Sequence, residues 1–411
     1  MPTSVRSSLL LISAACVALL TAATPPAPAP LLKTGTAVDW WFGFKFNAET
    51  APQCGGTVQR TCLMGGSPQD YNQFGLQFAF ASNRDPTLKQ GNGCIGETVT
   101  DPLGATVNQV YATSTFFYVL WNDQFYGDPL TTESAPAGHS KGMLAWNQSG
   151  SGFVLQVSTP SWPGSGSAQT PRAMGNTLGC VKEDNNVLVS QHFFALKLTK
   201  SDVVVVLKAL GNASVVTNPS KAQIVKNGGP ADIQALVAGL GKVSKSKIPS
   251  KDKLSSGVVL ISKPSDLNVP PWQLVSAELG GEPLRVANWY ATPEIPSTTS
   301  TTAIGCWDAS LPKPGAVAVA TSGIWAGKPI GFEGIGDAEG NHAKIAVSTG
   351  THTYTIFGDM NQDGTLSATQ VPARKCSSSQ NGRGGLFYVI DNPTLFTSVQ
   401  ALLKGTTAPA K

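Results

Sequence analysis

Charge and histidine are both scarce in this chain. Only 13% of its 411 residues are charged and only four are histidine (His139, His192, His342, His352). The low charge together with 41% hydrophobic residues excludes an intrinsically disordered chain and supplies enough apolar material for more than one core. The net charge of +4 is compatible with a polyanionic substrate but falls short of the dense basic surface of a dedicated nucleic-acid-binding protein. Beyond the N-terminus no run approaches the roughly 20 apolar residues of a membrane span. No Cys-x-x-Cys occurs, which argues against a cysteine metal site.

The length favours two domains, and 43 glycines and 29 prolines between β-branched runs favour a strand-heavy, loop-rich chain. Arg6, the apolar run Leu9 to Leu20 and the small residues Thr21-Ala22-Ala23 have the layout of a secretory signal peptide, expected over residues 1–24. A lipoprotein reading with acylated Cys16 is disfavoured by Ser13, where a branched apolar residue is expected. The mature protein is therefore expected to be secreted or periplasmic and soluble. Its six remaining cysteines, Cys54, Cys62, Cys94, Cys180, Cys306 and Cys376, read as disulfides in an exported chain. Fifteen pairings are formally possible. The short Cys54 to Cys62 spacing and the isolation of Cys306 and Cys376 suggest one bridge in each half, with Cys94 and Cys180 left to pair.

A Pro/Ala-rich linker (25–37) precedes the aromatic run Val38 to Phe46, which predicts a central strand ending at Lys45. Cys54 to Gly66 reads as a loop, Thr115 to Trp121 and Gly152 to Ser158 as strands, with Pro160 to Pro163 as a break. Val203 to Leu210 fits either a strand or a buried helix. Ile233 to Leu240 has helical spacing, and Val258 to Ile261, Leu284 to Tyr290 and Ala316 to Ala320 read as strands around a helix at Trp272 to Leu279. Between the halves lie Lys242, Lys245, Lys247, Lys251 and Lys253, either a solvated connector (241–256) or a phosphate-contacting strip. The expected organisation is an N-terminal half over 38–240 and a C-terminal half over 257–405. Each would be a mixed β-sheet flanked by helices, an α/β (α+β) architecture.

Two of the four histidines stand two residues before a lysine, in Gly138-His139-Ser140-Lys141-Gly142 and Asn341-His342-Ala343-Lys344, 342 − 139 = 203 residues apart. That spacing is one domain of chain and suggests duplicated halves that contribute one His-x-Lys each to a shared site. On a strand, residues two apart share a face, so imidazole and ammonium are presented together. Two such faces suit a phosphodiester: the lysines neutralise the non-bridging oxygens, one imidazole attacks phosphorus and the other protonates the leaving oxygen. No cofactor is required by this scheme. Ser158 and Asn361 lie at the same offset past each histidine (158 − 139 = 361 − 342 = 19) and read as supports.

In order along the chain, Val38-Asp39-Trp40-Trp41 with Lys45, Tyr118 to Gln124 with Asn122 and Asp123, Gly138 to Gly142, His342-Ala343-Lys344, Gly358-Asp359-Met360-Asn361 and Arg383-Gly384-Gly385 resemble the motifs of the deoxyribonuclease II family over nearly all of the mature chain. That family is similar to the phospholipase D superfamily. The resemblance implies two phospholipase D-like repeats around one active site. It also implies a metal-independent, acid-active endonuclease on double-stranded and possibly single-stranded DNA, working through a phosphohistidine to leave 3′-phosphates, in a protein that can homodimerise. It casts His139 and His342 as catalytic, Lys141 and Lys344 as phosphate ligands, and Ser158, Asn361, Lys45 and Asn122 as supports. Trp146 and Thr349 stand where the broader superfamily carries an aspartate after each lysine, which leaves open how the imidazoles are oriented. His139 is expected as nucleophile and His342 as general acid.

Other readings compete. Asp359-x-Asn361-x-Asp363-Gly364 with Gln370 approaches a calcium loop, but Gln370 replaces its bidentate glutamate, and a turn after a strand is favoured. His192 and His352 are expected to be structural or on the surface, and Trp40, Trp41 and Trp121 to be core. A lipid phosphodiesterase with the same histidines, or a non-catalytic nucleic-acid-binding protein, are the alternative functions; no amphipathic helix for a lipid surface is evident.

Overall fold

The strand β1 (Trp40–Lys45) shows how period-two alternation sorts this chain into layers. The Trp41 indole donates to Thr106 Oγ1 at 3.0 Å, on the helix α1 (Pro102–Tyr111) covering one face. The next residue, Phe42, turns to the opposite face and stacks on Phe357 at 4.4 Å between ring centroids. Every residue of β1 is buried because both faces of its sheet are covered. The computed structural model describes residues 1, 26–47, 49–50, 77–93, 95–96, 98–111, 115–125, 130–160, 189–334, 336, 338–368 and 375–411. The apolar run of the expected leader, the Cys54 to Gly66 loop, Cys94, Cys180 and Gln370 lie outside the described residues.

The first half continues with β2 (Phe78–Ser82), β3 (Asp85–Gln90), β4 (Phe117–Asn122), β5 (Lys141–Trp146), β6 (Gly152–Val157), β7 (Gln191–Leu198), α2 (Lys200–Asn212), β8 (Val225–Lys226) and α3 (Ala231–Ala238). Its strands form one sheet in the order β3-β2-β1-β7-β6-β5-β4-β8, antiparallel at every step. The second half supplies β9 (Ser250–Lys253), β10 (Val259–Lys263), α4 (Pro271–Glu278), β11 (Leu284–Ala287), β12 (Val317–Val319), the hairpin β13 (Ser322–Trp325) and β14 (Lys328–Gly331), then β15 (Ile345–Ser348), β16 (Tyr354–Gly358), β17 (Gly385–Asp391) and α5 (Pro393–Leu402). The second sheet runs β12-β11-β15-β16-β17-β10-β9, with β11 and β12 its one parallel pair. The five strands β1-β7-β6-β5-β4 thus recur as β10-β17-β16-β15-β11, in the same spatial order and with the same antiparallel pairing. The strand order repeats as the spacing of the two His-x-Lys segments leads one to expect.

The two sheets face each other across an aromatic core. Phe357 of β16 lies against Phe42 and Phe194, and Phe194 also meets Tyr388 of β17. Two helices sit where the sequence reading does not put them. α2 packs against β6 and β7 of one sheet and β10 and β17 of the other, and α5 packs against β3 as well as β15 and β16. They lie between the sheets, whereas the expectation was for helices outside. α1 and α4 fit that expectation, α4 covering Ile261, Phe387 and Ile356 with Trp272 and Val275. The first sheet is also antiparallel, not mixed.

The ambiguous segment Val203 to Leu210 is helical. Thr199 and Asp202 form a capping box at the start of α2, and Val203, Val206, Leu207 and Leu210 make a buried stripe at helical spacing. Cap and stripe together override the β preference of four consecutive valines. The lysine-rich stretch 241–256 contributes β9, the edge strand of the second sheet, where charged side chains discourage pairing with another chain. Cys306 and Cys376 are bonded, as expected for the second half; the other candidate cysteines fall outside the described residues.

Because one continuous core contains residues of both halves, the two are expected to unfold together. Phe357→Ala, which removes the ring joining the sheets, should lower stability by about 3–5 kcal/mol and keep a single transition. Denaturant unfolding followed by both tryptophan fluorescence and circular dichroism checks this, and two separated transitions in the parent protein would contradict it.

Candidate active site

Each His-x-Lys lies where its chain enters the third of the repeated strands. Lys141 is the first residue of β5, and Lys344 immediately precedes β15. The two segments meet at a cavity of about 160 Å³ lined by Gln124, His139, Ser158, Trp289, His342, Lys344 and Asn361. Each histidine is held by the opposite half: His139 N–H donates to Gly384 O at 2.7 Å, and His342 N–H donates to Ser190 O at 2.8 Å. Ser158 and Asn361, placed by their equal offsets, both line this cavity. The Asn361 Oδ1 has no hydrogen-bond partner among the described residues.

The imidazole of His139 is oriented by backbone. Its Nδ1 lies 2.7 Å from Asp359 O. A carbonyl only accepts, so Nδ1 carries the hydrogen and Nε2 presents its lone pair. For His139 a carbonyl from the other half thus does the orienting that the superfamily's aspartate would otherwise do. Asp359 is fixed in turn, its carboxylate accepting from Leu386 N (3.0 Å), from Gln156 Nε2 (3.0 Å) and from Ser140, which also accepts the Trp121 indole N–H. Gln156 and Asp359 are thus bonded to each other across the interface between the halves. Burial raises the Asp359 carboxyl to about 7 against the opposing pull of these donors and of Lys141. In the calcium-like loop the Asp359 carboxylate turns to the half–half interface, and the twelfth position, Gln370, lies outside the described residues.

The duplication is broken at the lysines. Asn122 pairs with Lys141 across β4 and β5, and the register of β11 with β15 sets Asn288 opposite Lys344. Both asparagines are buried, Asn122 Nδ2 donating to Thr159 O (3.2 Å) and Asn288 Oδ1 accepting from Gln362 N (2.7 Å). One residue further, the first half has Asp123 and the second has Trp289. Asp123 binds Lys141 Nζ at 2.5 Å and Arg383 at 2.9 Å, so the first lysine is neutralised within the wall. Trp289 instead packs edge-on against His342 at 4.5 Å between centroids. Lys344 remains the cavity-lining cation, its Nζ donating to His342 O at 2.5 Å.

Burial comes first among the causes that pull His139, His342 and Lys344 well below their ordinary values, and the neighbouring lysines add to it. For Asp123 burial alone would raise the carboxyl, but Lys141, His139 and Arg383 outweigh it and hold the group far down.

Among the other residues anticipated from sequence, Lys45 and Asn122 are fully buried behind the cavity and do not line it. His192 is also buried, its Nδ1 accepting from Lys344 N at 3.1 Å. His352 is a surface residue whose Nδ1 lies 2.7 Å from Glu282. Trp40, Trp41 and Trp121 belong to the core. Trp289 and Gln124 line the cavity without having been anticipated. The carboxylate roles of Asp123 and Asp359, and the grip of Arg383, whose guanidinium donates to Ala137 O (2.9 Å) and Gly138 O (3.0 Å) just before His139, were likewise not assigned.

Asp123→Asn should leave Lys141 and Arg383 buried without their counter-charge and cost about 3–5 kcal/mol near neutral pH. The folded-state pKa of Asp123 is depressed, so the folded state holds fewer protons than the unfolded chain. Its stabilisation is therefore complete above the unfolded value of about 4 and is lost only as pH falls through the depressed folded value. Denaturation of parent and variant from neutral pH into acid should show a constant gap that narrows only in strong acid.

Comparison with known proteins agrees with this layout. The deoxyribonuclease II family profile matches residues 30–407. Deoxyribonuclease-2-alpha of Sus scrofa is 30% identical over 155 residues, and that of Bos taurus 31% over 156, in each case 36% of this chain and 38% of the relative. The aligned stretch thus spans well under half of either curated relative. With the family profile covering both His-x-Lys segments and nearly all of the described residues, the chain belongs to the deoxyribonuclease II family.

Proposed function

We propose that this protein is an endodeoxyribonuclease that cleaves DNA phosphodiesters with its two histidines and no metal ion, through two phospholipase D-like halves. The observation that carries the reading is the convergence of His139 and His342, one from each half, on a single cavity with Lys344. The relatives' printed name, deoxyribonuclease, supports DNA as the substrate.

In this mechanism the Nε2 lone pair of His139 attacks phosphorus. The bond to the 5′ oxygen breaks, and protonated His342 gives that oxygen its proton. The DNA 3′ oxygen stays on phosphorus in a phosphohistidine. His342 then takes a proton from water, the water oxygen attacks phosphorus, and the P–N bond breaks to release a 3′-phosphate. Assigning His139 as nucleophile is supported by its fixed tautomer. His342 as acid is supported by its place beside Trp289, where its ring is not tied to a backbone carbonyl in the way His139 is. Lys344 supplies positive charge to the non-bridging oxygens, and an incoming phosphate anion favours its charged form. Asn361 is positioned to donate to the same oxygens.

Acid activity is supported by the direction in which burial shifts both histidines. The acid must be protonated and the nucleophile neutral, and both histidines are depressed, so the bell-shaped rate profile is centred below the ordinary histidine value. Activity falls on the alkaline side as His342 loses its proton and on the acid side as His139 gains one. The leader-like N-terminus fits action outside the cell on external DNA.

The test is cleavage of plasmid DNA, with phospholipid in a parallel arm, in chelator from about pH 4 to about pH 8. The expected result is nicking in acid that decays toward neutrality, inertness toward lipid, and a loss of about 10²- to 10⁴-fold in His342→Ala. His139→Ala should abolish the covalent intermediate trapped by acid quench. Cleavage that needs added metal, or that survives in His342→Ala, overturns the mechanism; lipid hydrolysis without DNA cleavage moves the chemistry to another substrate.

A further inference from the structure

Two lysines outside the cavity occupy matching places in the two halves. Lys45 ends β1 and pairs with Gln191, the first residue of β7; Lys263 ends β10 and pairs with Gly385, the first residue of β17. Both are fully buried. Lys45 Nζ donates to Val189 O at 2.5 Å, and Lys263 Nζ donates to Arg383 O at 2.7 Å and Asn381 O at 2.8 Å. The carbonyl one residue beyond each anchored group is the one that holds a histidine of the opposite half: Ser190 O accepts from His342 N–H, and Gly384 O accepts from His139 N–H.

The geometry points to a reciprocal clasp in which Lys45 and Lys263 are positioning residues, each fixing the strand entry of its own half that holds the reactive histidine of the other. An ammonium offers three donors on a long apolar stem, so it can sit inside the fold and gather carbonyls that the sheet ladder has not yet engaged. On their other side Gln191 and Gly385 are held in the sheet ladder, so the carbonyls of Ser190 and Gly384 lie between two fixed points and have little freedom. The histidine amides they accept are located accordingly. Burial pulls both ammoniums down to about 7, and backbone carbonyls can accept from the protonated or the neutral amine. The kinetic side of the inference rests on the nuclease reading; the structural side does not.

The crossed wiring gives a readout that general destabilisation does not reproduce. With only four histidines, the imidazole ¹H–¹⁵N signals of the full-length protein can be assigned by replacing each in turn, without DNA. Lys45→Met should shift the His342 signals and Lys263→Met those of His139, while His352 stays in place in both. In DNA cleavage each variant should lose on the order of 10²-fold in kcat with KM little changed, as misplacement of a reacting group does. Where a methionine variant does not fold, Lys45→Gln or Lys263→Gln, which keeps an uncharged donor, is judged by the same crossing. Shifts confined to the histidine of the lysine's own half, or unshifted histidines in folded variants, overturn the clasp. A parent protein that leaves DNA intact defeats the nuclease reading, and the imidazole spectra still decide the clasp.

Discussion

In the mechanism we propose, a histidine that attacks phosphorus needs one ring nitrogen kept free of a proton, and the hydrogen bond from His139 Nδ1 to the Asp359 carbonyl favours that state. The acceptor belongs to the other half of the chain. Docking of the two halves therefore selects the useful tautomer of His139, and the features that dock them also serve the ring. Phe357 between Phe42 and Phe194, the bond from Gln156 to Asp359, and the grip of Arg383 on the carbonyls before His139 all bear on one nitrogen atom.

The repeated strand order accounts for the site having two of most things, and the departures from it account for how they differ. An exact twofold would make the two histidines equivalent, and equivalent groups titrate as an undifferentiated pair. One replacement after the paired asparagines separates them. Asp123 places a carboxylate on Lys141, whereas Trp289 at the matching place puts an apolar ring beside His342 and leaves Lys344 to face the cavity. The carboxylate's benefit to the first half is its own grip on Arg383, which ties a second-half side chain to the first-half wall. Asymmetry of charge and cohesion of the halves thus come from the same aspartate.

Sequence patterns that depend on one strand or one helix were legible. The aromatic run of β1, the strand at Val259–Lys263, the helix around Trp272 and the shared 19-residue offset of Ser158 and Asn361 each follow from local periodicity or from comparing two copies at fixed spacing. What was hidden depends on spacing that differs between the copies or on contacts between them. Asn122 and Asn288 match in register but are 288 − 122 = 166 residues apart, so an offset of 203 passes over both Asn288 and the Trp289 beside it. The resemblance casts Lys45 as a support at the site, yet its side chain is buried behind the cavity, a burial set by the chain entering β7, far away in sequence. The segment of α2 fits either a strand or a helix on sequence alone and that of α5 carries no reading there; an amphipathic stripe says which side is buried, not that the opposite side meets a second sheet.

The glycines beside the first histidine follow from the same closeness of the two halves. A Cβ at Gly138 would stand 2.3 Å from Ala213 O, and one at Gly384 would stand 2.1 Å from that same oxygen. Ala213 is the C-cap of α2, the helix wedged between the sheets, so its carbonyl end sits where the segment leading to His139 meets the entry of β17. Any side chain at either position would push these backbones apart. The bond from His139 N–H to Gly384 O spans that gap at 2.7 Å, and a separation of even half an ångström would weaken it. The glycine of Gly138-His139-Ser140-Lys141 and that of Arg383-Gly384-Gly385, which look like independent loop signals along the chain, are two sides of one steric requirement: the reactive histidine can be held by the opposite half only where both backbones fit around the end of one helix.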